Sequence, residues 1–177
     1  MSDIMFNKLR NVKTPTQAYE FAAATDFFTP EYDKKFYDDL LEKNPNKDSY
    51  ECMVSADCSC MQIVLKPNAR IIIPSGIRVI IKDTNTCLMA VNKSGVAAKK
   101  GLVHGACLID PDFQGEIDIN LINTSNEEVP IKTGDKIIQF MCLPVLRPAY
   151  KEILTEDFYK LQPTSKRGTG GFGSSGK

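Results

Sequence analysis

The sequence predicts an all-β fold, a barrel or a sandwich, on three observations. First, apolar runs of strand length follow one another from residue 61 onward. Second, the segments between them are turn sequences such as Pro-Ser-Gly and Lys-Thr-Gly-Asp. Third, no helical periodicity separates the runs, which disfavours a parallel α/β fold. The predicted strands are, in chain order, Met61–Leu65, Arg70–Ile73, Ile77–Ile81, Cys87–Val91, Leu102–Ile109, Glu116–Ile122 and Lys136–Leu146.

One segment ahead of these strands, residues 30–43, has helical spacing instead. Thr29 is a candidate N-cap, Pro30 suits the first turn and Asn44-Pro45 ends the pattern. The sequence therefore predicts a short amphipathic helix that decorates the surface of the β core, followed by a polar, loop-like stretch over Asn44–Ser59. The apolar positions at helical spacing are Tyr32, Phe36, Tyr37, Leu40 and Leu41.

Composition fits one globular domain with a sizeable core. The chain has 177 residues, of which 42% are hydrophobic and 25% charged. Its 22 basic residues balance 22 acidic ones, so neither a nucleic-acid polymer nor a membrane surface is an expected partner. The start of the sequence lacks the apolar run of a signal peptide, and no stretch approaches the ~20 apolar residues of a membrane span. We expect a soluble, cytoplasmic protein, in the host cytoplasm if the chain is viral.

The six cysteines favour neither disulfides nor a metal site. Cys87, Cys107 and Cys142 lie in apolar, strand-like runs, where a thiol behaves as a small hydrophobe. The close pair Cys58-Ser59-Cys60 lacks the usual C-x₂-C spacing, and the single histidine, His104, is far away in sequence. Zinc at that pair stays a minority alternative.

Three internal segments carry polar residues that a β core does not need. Asp26 lies among apolar residues, Lys93 and Ser94 precede a glycine and a small-residue run, and the turn 110–115 holds two carboxylates and Phe113. Taken singly, an Asx-turn, a helix N-cap and an ordinary turn explain them.

The tail from Arg167 to Lys177 holds five of the eleven glycines. Glycines let successive backbone N–H groups face an anion, Arg167 offers a bidentate phosphate clamp, and Phe172 offers a ring for a base to stack on. The tail also satisfies G-x-G-x-x-G, but it lacks the strand before and the helix after that this motif requires. We expect a mobile flap rather than a dinucleotide fold.

Together with the tail, these segments resemble the five ordered motifs of the trimeric dUTP pyrophosphatases. The usual A-G-Y-D-L reads Ala23–Phe27, P-R-S-G-L-A reads Asn92–Ala97, and G-V-I-D-x-D-Y-x-G reads Cys107–Gly115. The fourth motif, G-x-R-I-A-Q, reads Gly134–Gln139, and the glycine-rich fifth is matched at every fixed position by Arg167–Gly176. The resemblance covers nearly the whole chain.

The resemblance implies a homotrimer of jelly-roll-like β barrels that hydrolyses dUTP to dUMP and pyrophosphate, with Mg²⁺ gathered by the triphosphate. Asp110 would activate the water that attacks the α phosphate, and Asp26 would act through water on the metal. Phe113, where the family has tyrosine, would lie against the deoxyribose and reject UTP. Each active site would take the first, second and fourth motifs from one subunit, the third from another and the tail from a third.

The resemblance also implies how the substrate is held. Lys93, Ser94, Gly95 and Gln139 would contact the phosphates, and Lys93 keeps the charge of the usual arginine without its bidentate fork. The backbone of Val103–Leu108 would read uracil; this hairpin includes His104, whose role the sequence leaves open, and Cys107. The expected organisation is a barrel domain over 1–166 with an insert at about 29–60, and a tail over 167–177. The residues expected to close over the nucleotide are Arg167, Gly171, Phe172, Gly173, Ser174 and Ser175.

Two alternatives remain open at this point. A dCTP deaminase of the same fold, or a bifunctional relative, would need a catalytic glutamate on the strand after the hairpin, where this chain has Asn120. A non-catalytic, nucleotide-responsive regulator would use the insert over 31–60 to contact a protein partner. Retention of Asp110, Asp26 and the tail favours the enzyme.

Overall fold

The computed structural model describes residues 4–54, 61–163, 165–166 and 168–170. The described chain is mostly β, as the sequence predicts, with helices α1 (Lys34–Lys43), α2 (Ser94–Lys100) and α3 (Thr155–Leu161) and a short 3-10 helix at Lys47–Ser49. The strands are β1 Ile4–Lys8, β2 Thr16–Gln17, β3 Thr25–Phe28, β4 Tyr50–Val54, β5 Met61–Leu65, β6 Arg70–Pro74, β7 Ile77–Ile81, β8 Thr86–Val91, β9 Leu102–His104, β10 Leu108–Ile109, β11 Asp118–Asn123, β12 Val129–Lys132 and β13 Lys136–Pro144.

The described strands pair into four antiparallel sheets. Their orders are β1-β7, β10-β8-β13-β3-β2, β6-β11-β9 and β12-β5-β4. Neighbours in a sheet are mostly distant in sequence, as in a jelly roll. The sheets do not close into one hydrogen-bonded barrel, so the fold is jelly-roll-like without a continuous barrel ladder.

The core fills the space between the inner faces of these sheets. In β7 the side chains alternate between buried and exposed, which gives one apolar and one solvated face. Ile71 and Ile73 of β6 and Ile119 and Leu121 of β11 are all at most 1% exposed and belong to the same apolar cluster. The period-two pattern that predicted strands is therefore the pattern that builds the core.

The predicted strand Leu102–Ile109 is wrong as a single element. Its first part, β9, pairs with β11, and its last part, β10, pairs with β8 in a different sheet. A continuous strand cannot follow both sheets, so the chain leaves the ladder between Gly105 and Cys107. Strands β1 to β4 and β12 were not predicted.

The predicted start of the helix is also wrong. Helix α1 begins at Lys34, and Asp33 caps it by accepting a hydrogen bond from the Phe36 N–H at 2.7 Å. Thr29 instead exchanges backbone hydrogen bonds with Asp135 and Gly134, and its hydroxyl accepts from the Asp135 N–H at 3.0 Å. Thr29 thus holds the turn before β13 rather than a helix end.

Helix α1 is part of the core and not a surface decoration. Phe36 and Leu40 are at most 1% exposed and pack in the main apolar cluster. The stretch after it is not wholly loop-like either, because it forms the 3-10 helix and β4. Asn44 joins the two parts, since its side chain bonds the Leu40 carbonyl and both backbone groups of Ile72.

Arg10 joins the segment after β1 to α1 and to the residues just before β11. Its guanidinium forms ion pairs with Asp39 and, at 2.9 Å, with Glu116. The Arg10 side chain is 3% exposed, and its guanidinium carbon Cζ lies 5.9 Å from the centre of the Phe36 ring. Glu116 also accepts a hydrogen bond from the Gly76 N–H. The buried guanidinium is therefore linked to α1 through Asp39 and, through Glu116, to the turn at Gly76.

The described residues fall into two compact units, divided between Val145 and Leu146. The second unit contains α3, which was not predicted and in which Phe158 and Tyr159 make an edge-to-face contact. None of the helices that the structure describes has both the length and the apolar character needed to cross a bilayer.

Candidate active site

A buried carboxylate paired with two lysines lies at the centre of the candidate site. Asp26 of β3 is 2% exposed. Lys93, in the segment between β8 and α2, donates to its Oδ1, and Nζ of Lys136, the first residue of β13, lies 3.0 Å from Oδ2. The Lys136 ammonium forms an ion pair with Oδ2 without an aligned hydrogen bond to it.

The two lysines keep Asp26 ionised. Burial alone would raise the pKa of this carboxyl group, but the hydrogen bond from Lys93 and the charges of Lys93 and Lys136 outweigh it and hold the pKa below its ordinary value. The cluster therefore carries one more positive than negative charge. Such a site suits an anion such as a phosphate.

Gln139 stands beside this cluster on β13. It lies opposite Asp26 in the β3 ladder and opposite Val91 in the β8 ladder. Its Nε2 donates to the Asn92 carbonyl at 2.9 Å. The Asn92 side chain in turn receives both the backbone N–H and the ring Nδ1 of His104, each at 2.8 Å. Three sequence-predicted residues, Lys93, Gln139 and His104, are thereby brought around one asparagine.

Ser94 and Gly95 form the first turn of α2. Lys93 occupies the N-cap position without a side-chain capping bond, so Ser94 is the first helical residue and not the cap. A Cβ placed on Gly95 would have nothing within 4 Å. The approach to this backbone is thus open.

The hairpin before Asp110 is opened between β9 and β10. Gly105 donates its N–H to the Asn120 carbonyl at 3.0 Å, and Cys107 accepts from the Ala90 N–H at 2.6 Å. A Cβ on Gly105 would lie 2.8 Å from Asn120 Oδ1, so only glycine fits there without displacing that amide. Within the described parts of the chain, no backbone hydrogen bond engages Ala106. Its N–H and carbonyl can serve a ligand.

Asp110 and Phe113 lie on the loop that follows β10. The loop closes a turn in which the Phe113 N–H donates to the Asp110 carbonyl at 3.1 Å, and Asp110 is exposed. The Phe113 ring covers Gly115, where an added Cβ would lie 2.7 Å from the ring. Phe113 also lines an open cleft of about 470 Å³ with Phe6 and Ile80.

The structure thus gathers some predicted residues and not others. Asp26, Lys93, Gln139 and His104 share a connected network, whereas no hydrogen bond or ion pair in the described ranges joins Asp110 to it. Cys107 and Cys142, expected in apolar surroundings, are exposed, whereas Cys87 is buried. The predicted tail residues Arg167 and Gly171–Ser175, and the pair Cys58 and Cys60, lie outside the described residues.

The donor set does not fit direct coordination of Mg²⁺. No group of three or more His, Cys, Asp or Glu side chains that could hold a metal occurs in the described part of the chain. Asp26 is buried and both its oxygens face ammonium groups, which compete with a dication. Its predicted role, acting on the metal through water, stays a prediction.

Two residues of this site were not predicted. Lys136 stands where the fourth motif usually has arginine, and that position was the available signal for a second cation beside Asp26. Asn92 stands where the second motif usually has proline. Because proline has no polar side chain, this departure was the signal for a new hydrogen bond.

The chain thus presents a phosphate-suited cluster of Lys93, Lys136, Asp26 and Gln139 and, beside it, an opened hairpin, and comparison with known proteins places this fold among nucleotide hydrolases. The dUTPase family model matches residues 57–176. The deoxyuridine 5'-triphosphate nucleotidohydrolase of Tolumonas auensis is 35% identical over 122 residues, which are 68% of this chain and 77% of that protein. That of Psychrobacter cryohalolentis is 36% identical over 122 residues, 68% of this chain and 76% of that protein.

Solved structures show the same fold. The dUTPase of Staphylococcus bacteriophage 80alpha with dUPNHPP has a TM-score of 0.69 at 21% identity, with 100% of both chains covered. The dUTPase of phage phi11 of S. aureus has a TM-score of 0.62 at 19% identity, covering 85% of this chain and 96% of that one. The chain belongs to the dUTPase family, a family of hydrolases in nucleotide metabolism.

Proposed function

We propose that this chain hydrolyses dUTP to dUMP and pyrophosphate. The observation that carries the proposal is the opened hairpin directly before Asp110, in a chain whose family membership rests on about 35% identity to named dUTP nucleotidohydrolases. A planar base that enters this opening would meet the backbone groups of Ala106. Backbone N–H and C=O groups held in a strand-like geometry can hydrogen-bond the polar edge of uracil, as they would the backbone of a neighbouring strand.

Asp110 is the proposed general base. It takes a proton from a water molecule, whose oxygen attacks the α phosphorus while the bond to the bridging oxygen breaks and pyrophosphate leaves. Its exposed position on a loop anchored by the Phe113 turn suits a group that must meet both water and substrate. Phe113 packs against the deoxyribose, where its bulk excludes a 2′-hydroxyl.

Lys93, Ser94, Gly95 and Gln139 are the proposed phosphate contacts. The excess positive charge at Asp26 favours a polyanion beside Lys93, and the open space at Gly95 lets phosphate oxygens approach the backbone. As a point charge, Lys93 grips the phosphates less directionally than arginine would.

The tail over 167–177 is proposed to close over the bound nucleotide. Arg167, Ser174 and Ser175 would hold the γ phosphate, Phe172 would cover the uracil, and Gly171 and Gly173 would let the backbone come close. Closure would exclude bulk water and position the triphosphate. Such positioning, with electrostatic stabilisation, supplies most of the acceleration in phosphoryl transfer.

Mg²⁺ is proposed to arrive on the triphosphate. The phosphate oxygens supply its direct ligands, since the described residues form no cluster of three or more His, Cys, Asp or Glu side chains for a metal, and the ion neutralises phosphate charge. A phage phi11 relative has been solved with a coordinated structural Mg(II) ion.

A homotrimer with shared sites is the proposed assembly. In the described ranges no hydrogen bond or ion pair joins Asp110 to the Asp26 cluster, so the two can serve different sites of a shared-site assembly. The proposed domain division stays as predicted, with the barrel over 1–166 and the flap beyond it.

Within the residues that the structure describes, no contact or geometry favours either alternative function. Asn120 lies beside the hairpin at Gly105, but an amide cannot shuttle the proton that deamination of dCTP needs. Regulation through a protein partner would use the insert, in which the helix side chains Phe36 and Leu40 are already buried against the core. A partner for residues 31–60 remains a prediction.

Hydrolysis of dUTP, dCTP, dTTP and UTP tests the proposal, with pyrophosphate release measured for the full chain with Mg²⁺ and with chelator. We expect selective turnover of dUTP that needs Mg²⁺ and falls by about 10²–10⁴-fold in Asp110→Asn. A chain ending at Lys166 should keep the trimer, by light scattering, and lose turnover. Ammonia release from dCTP would contradict dUTP hydrolysis as the activity. A monomer in solution would contradict the trimer with shared sites, and full activity of the shortened chain would contradict the proposed role of the tail.

A further inference from the structure

Asn92 connects three segments of this chain through a single residue. Its carbonyl accepts from Gln139 Nε2 at 2.9 Å, and its Oδ1 receives the His104 N–H and the His104 ring nitrogen Nδ1, each at 2.8 Å. Asn92 directly precedes Lys93, and His104 is the last residue of β9. The residue therefore braces the first arm of the opened hairpin against the segment before α2 and against β13.

The two contacts at Oδ1 fix the protonation of the imidazole. The backbone N–H of His104 can only donate, so the side-chain atom of Asn92 that faces it is the oxygen and not the amide nitrogen. An amide oxygen only accepts, so Nδ1 of His104 must carry a hydrogen. In the neutral ring Nε2 then holds the lone pair.

The brace acts where the hairpin needs support. Strand β9 has three residues, and its ladder with β11 ends at His104, opposite Leu121. The next residue, Gly105, still donates its N–H to the Asn120 carbonyl, and the opened stretch begins at Ala106. A three-residue strand has few ladder bonds to hold its end, so two further bonds at its last residue limit how far the hairpin can spread.

We propose that Asn92 is a positioning residue for the nucleotide base. Its Oδ1 sets the opening of the hairpin by accepting hydrogen bonds from the backbone and from the ring of His104, and the second bond holds the ring in the Nδ1–H tautomer. The inference rests on the proposed function, because it assumes that the base enters this opening. In the proposed trimer the hairpin serves one site, whereas Lys93 and Gln139 of the same chain serve the adjoining one. The brace thus places the hairpin on the body of its own chain.

Three variants test this inference. Asn92→Ala removes the acceptor, Asn92→Asp retains it, and Asn46→Ala is the matched control, since Asn46 is another exposed asparagine whose side chain accepts one backbone N–H, from Asp48. Each is measured for thermal unfolding, for affinity for the imido analogue of dUTP, and for kcat and KM with dUTP.

We expect Asn92→Ala to weaken analogue affinity and raise KM by about 5–10-fold with kcat within about twofold, because base contacts are equal in ground and transition states. Asn92→Asp should stay within about twofold of the wild type in analogue affinity and in KM, and Asn46→Ala should match the wild type in both quantities. Unchanged affinity in Asn92→Ala, or an equal loss in Asn92→Asp, would overturn the inference.

The single histidine makes the tautomer directly measurable. Nitrogen-15 NMR of the ring should show Nδ1–H in the wild type and in Asn92→Asp, and a shift of the proton towards Nε2 in Asn92→Ala. A wild-type ring protonated at Nε2 alone would contradict the brace. The NMR and analogue-binding arms need no turnover, so failure to hydrolyse dUTP would remove the proposed function while these arms still decide the role of Asn92.

Discussion

Lys93 and Asp26 form an ion pair that joins the segment before α2 to strand β3, and the carboxylate in it is 2% exposed. Lys136 adds a second positive charge at 3.0 Å. Because the pKa of Asp26 is lowered in the folded chain, the stabilising contribution of this group is present above its ordinary pKa of 3.8 and is lost as pH falls through the folded value.

Asp26→Asn should therefore lower stability in a pH-dependent way. At pH 7 we expect a loss of about 1–3 kcal/mol, because two cations lose a buried partner. The gap to the wild type should narrow below pH 3.8, where the unfolded chain takes up the proton, and should close as the pH falls through the lowered pKa of the folded carboxyl group. Urea unfolding at fixed protein concentration from pH 3 to 7 measures this. Asp157→Asn, at an exposed pair with Lys160, is the control, and a gap that stays constant with pH would contradict the expectation.

Arg10→Met should strongly destabilise the fold. The substitution leaves Asp39 and Glu116 without their shared cation in a partly buried place, which costs about 3–5 kcal/mol when a buried pair is broken. Lys34→Met is the matched control, since Lys34 pairs with Asp38 on the exposed face of α1. Thermal unfolding should show a large drop for the first and none beyond error for the second. Equal effects would mean that the Arg10 network adds no more than a surface pair.

Leu40→Ala tests whether the insert belongs to the core. Leu40 is 0% exposed in the main apolar cluster, so its truncation should cost about 2–5 kcal/mol through lost contacts and a cavity. Lys35→Ala, on the exposed side of the same helix, should leave stability unchanged. Chemical unfolding compares the two, and a loss under about 1 kcal/mol for Leu40→Ala would return the helix to a surface role.

Gly95→Ala should separate stability from activity. Nothing lies within 4 Å of the added Cβ, and alanine in a helix is favoured over glycine by about 0.5–1 kcal/mol. The variant should thus be at least as stable as the wild type, yet turn over dUTP poorly if the phosphates approach this backbone. Gly101→Ala, at φ +66 with Ser125 Cβ 2.8 Å away, is the contrasting case and should unfold more easily. Full activity of Gly95→Ala would exclude close phosphate approach there.

Period-two patterning predicted several strands that stay in one sheet, although it missed β1 to β4 and β12. Strands β5 and β7 match their predicted bounds, Met61–Leu65 and Ile77–Ile81. The pattern failed at 102–109, because apolar residues continue on both sides of the opening at Ala106 while the pairing partner changes from β11 to β8. Partner identity is a tertiary property that local alternation does not encode.

Helix α1 shows a related limit. Its apolar spacing predicted a helix, and the buried Phe36 and Leu40 are members of that spacing. The cap was misassigned because both Thr29 and Asp33 are competent N-caps, and Thr29 is already engaged by Asp135 across the fold. The choice between the two caps depends on Asp135, which is distant in sequence and engages Thr29 only in the folded chain.

The site was predictable as motifs but not as a network. Ordered motifs brought Asp26, Lys93 and Gln139 into one prediction, and the structure joins them at adjacent strands. The links through Asn92 and Lys136 arise from residues that depart from the usual motif. A departure shows that an interaction has changed, whereas only coordinates show which atom the new side chain reaches.

The Arg10 network has a consequence for how the insert was acquired. Asp39 lies in the insert, while Arg10 and Glu116 lie outside it. A descendant that lost the insert would expose the Arg10 guanidinium, lose one of its two carboxylate partners and uncover the apolar residues against which Phe36 packs. Arg10 and the insert should therefore have been inherited together, and the position of Arg10 should be free to vary in relatives without such an insert.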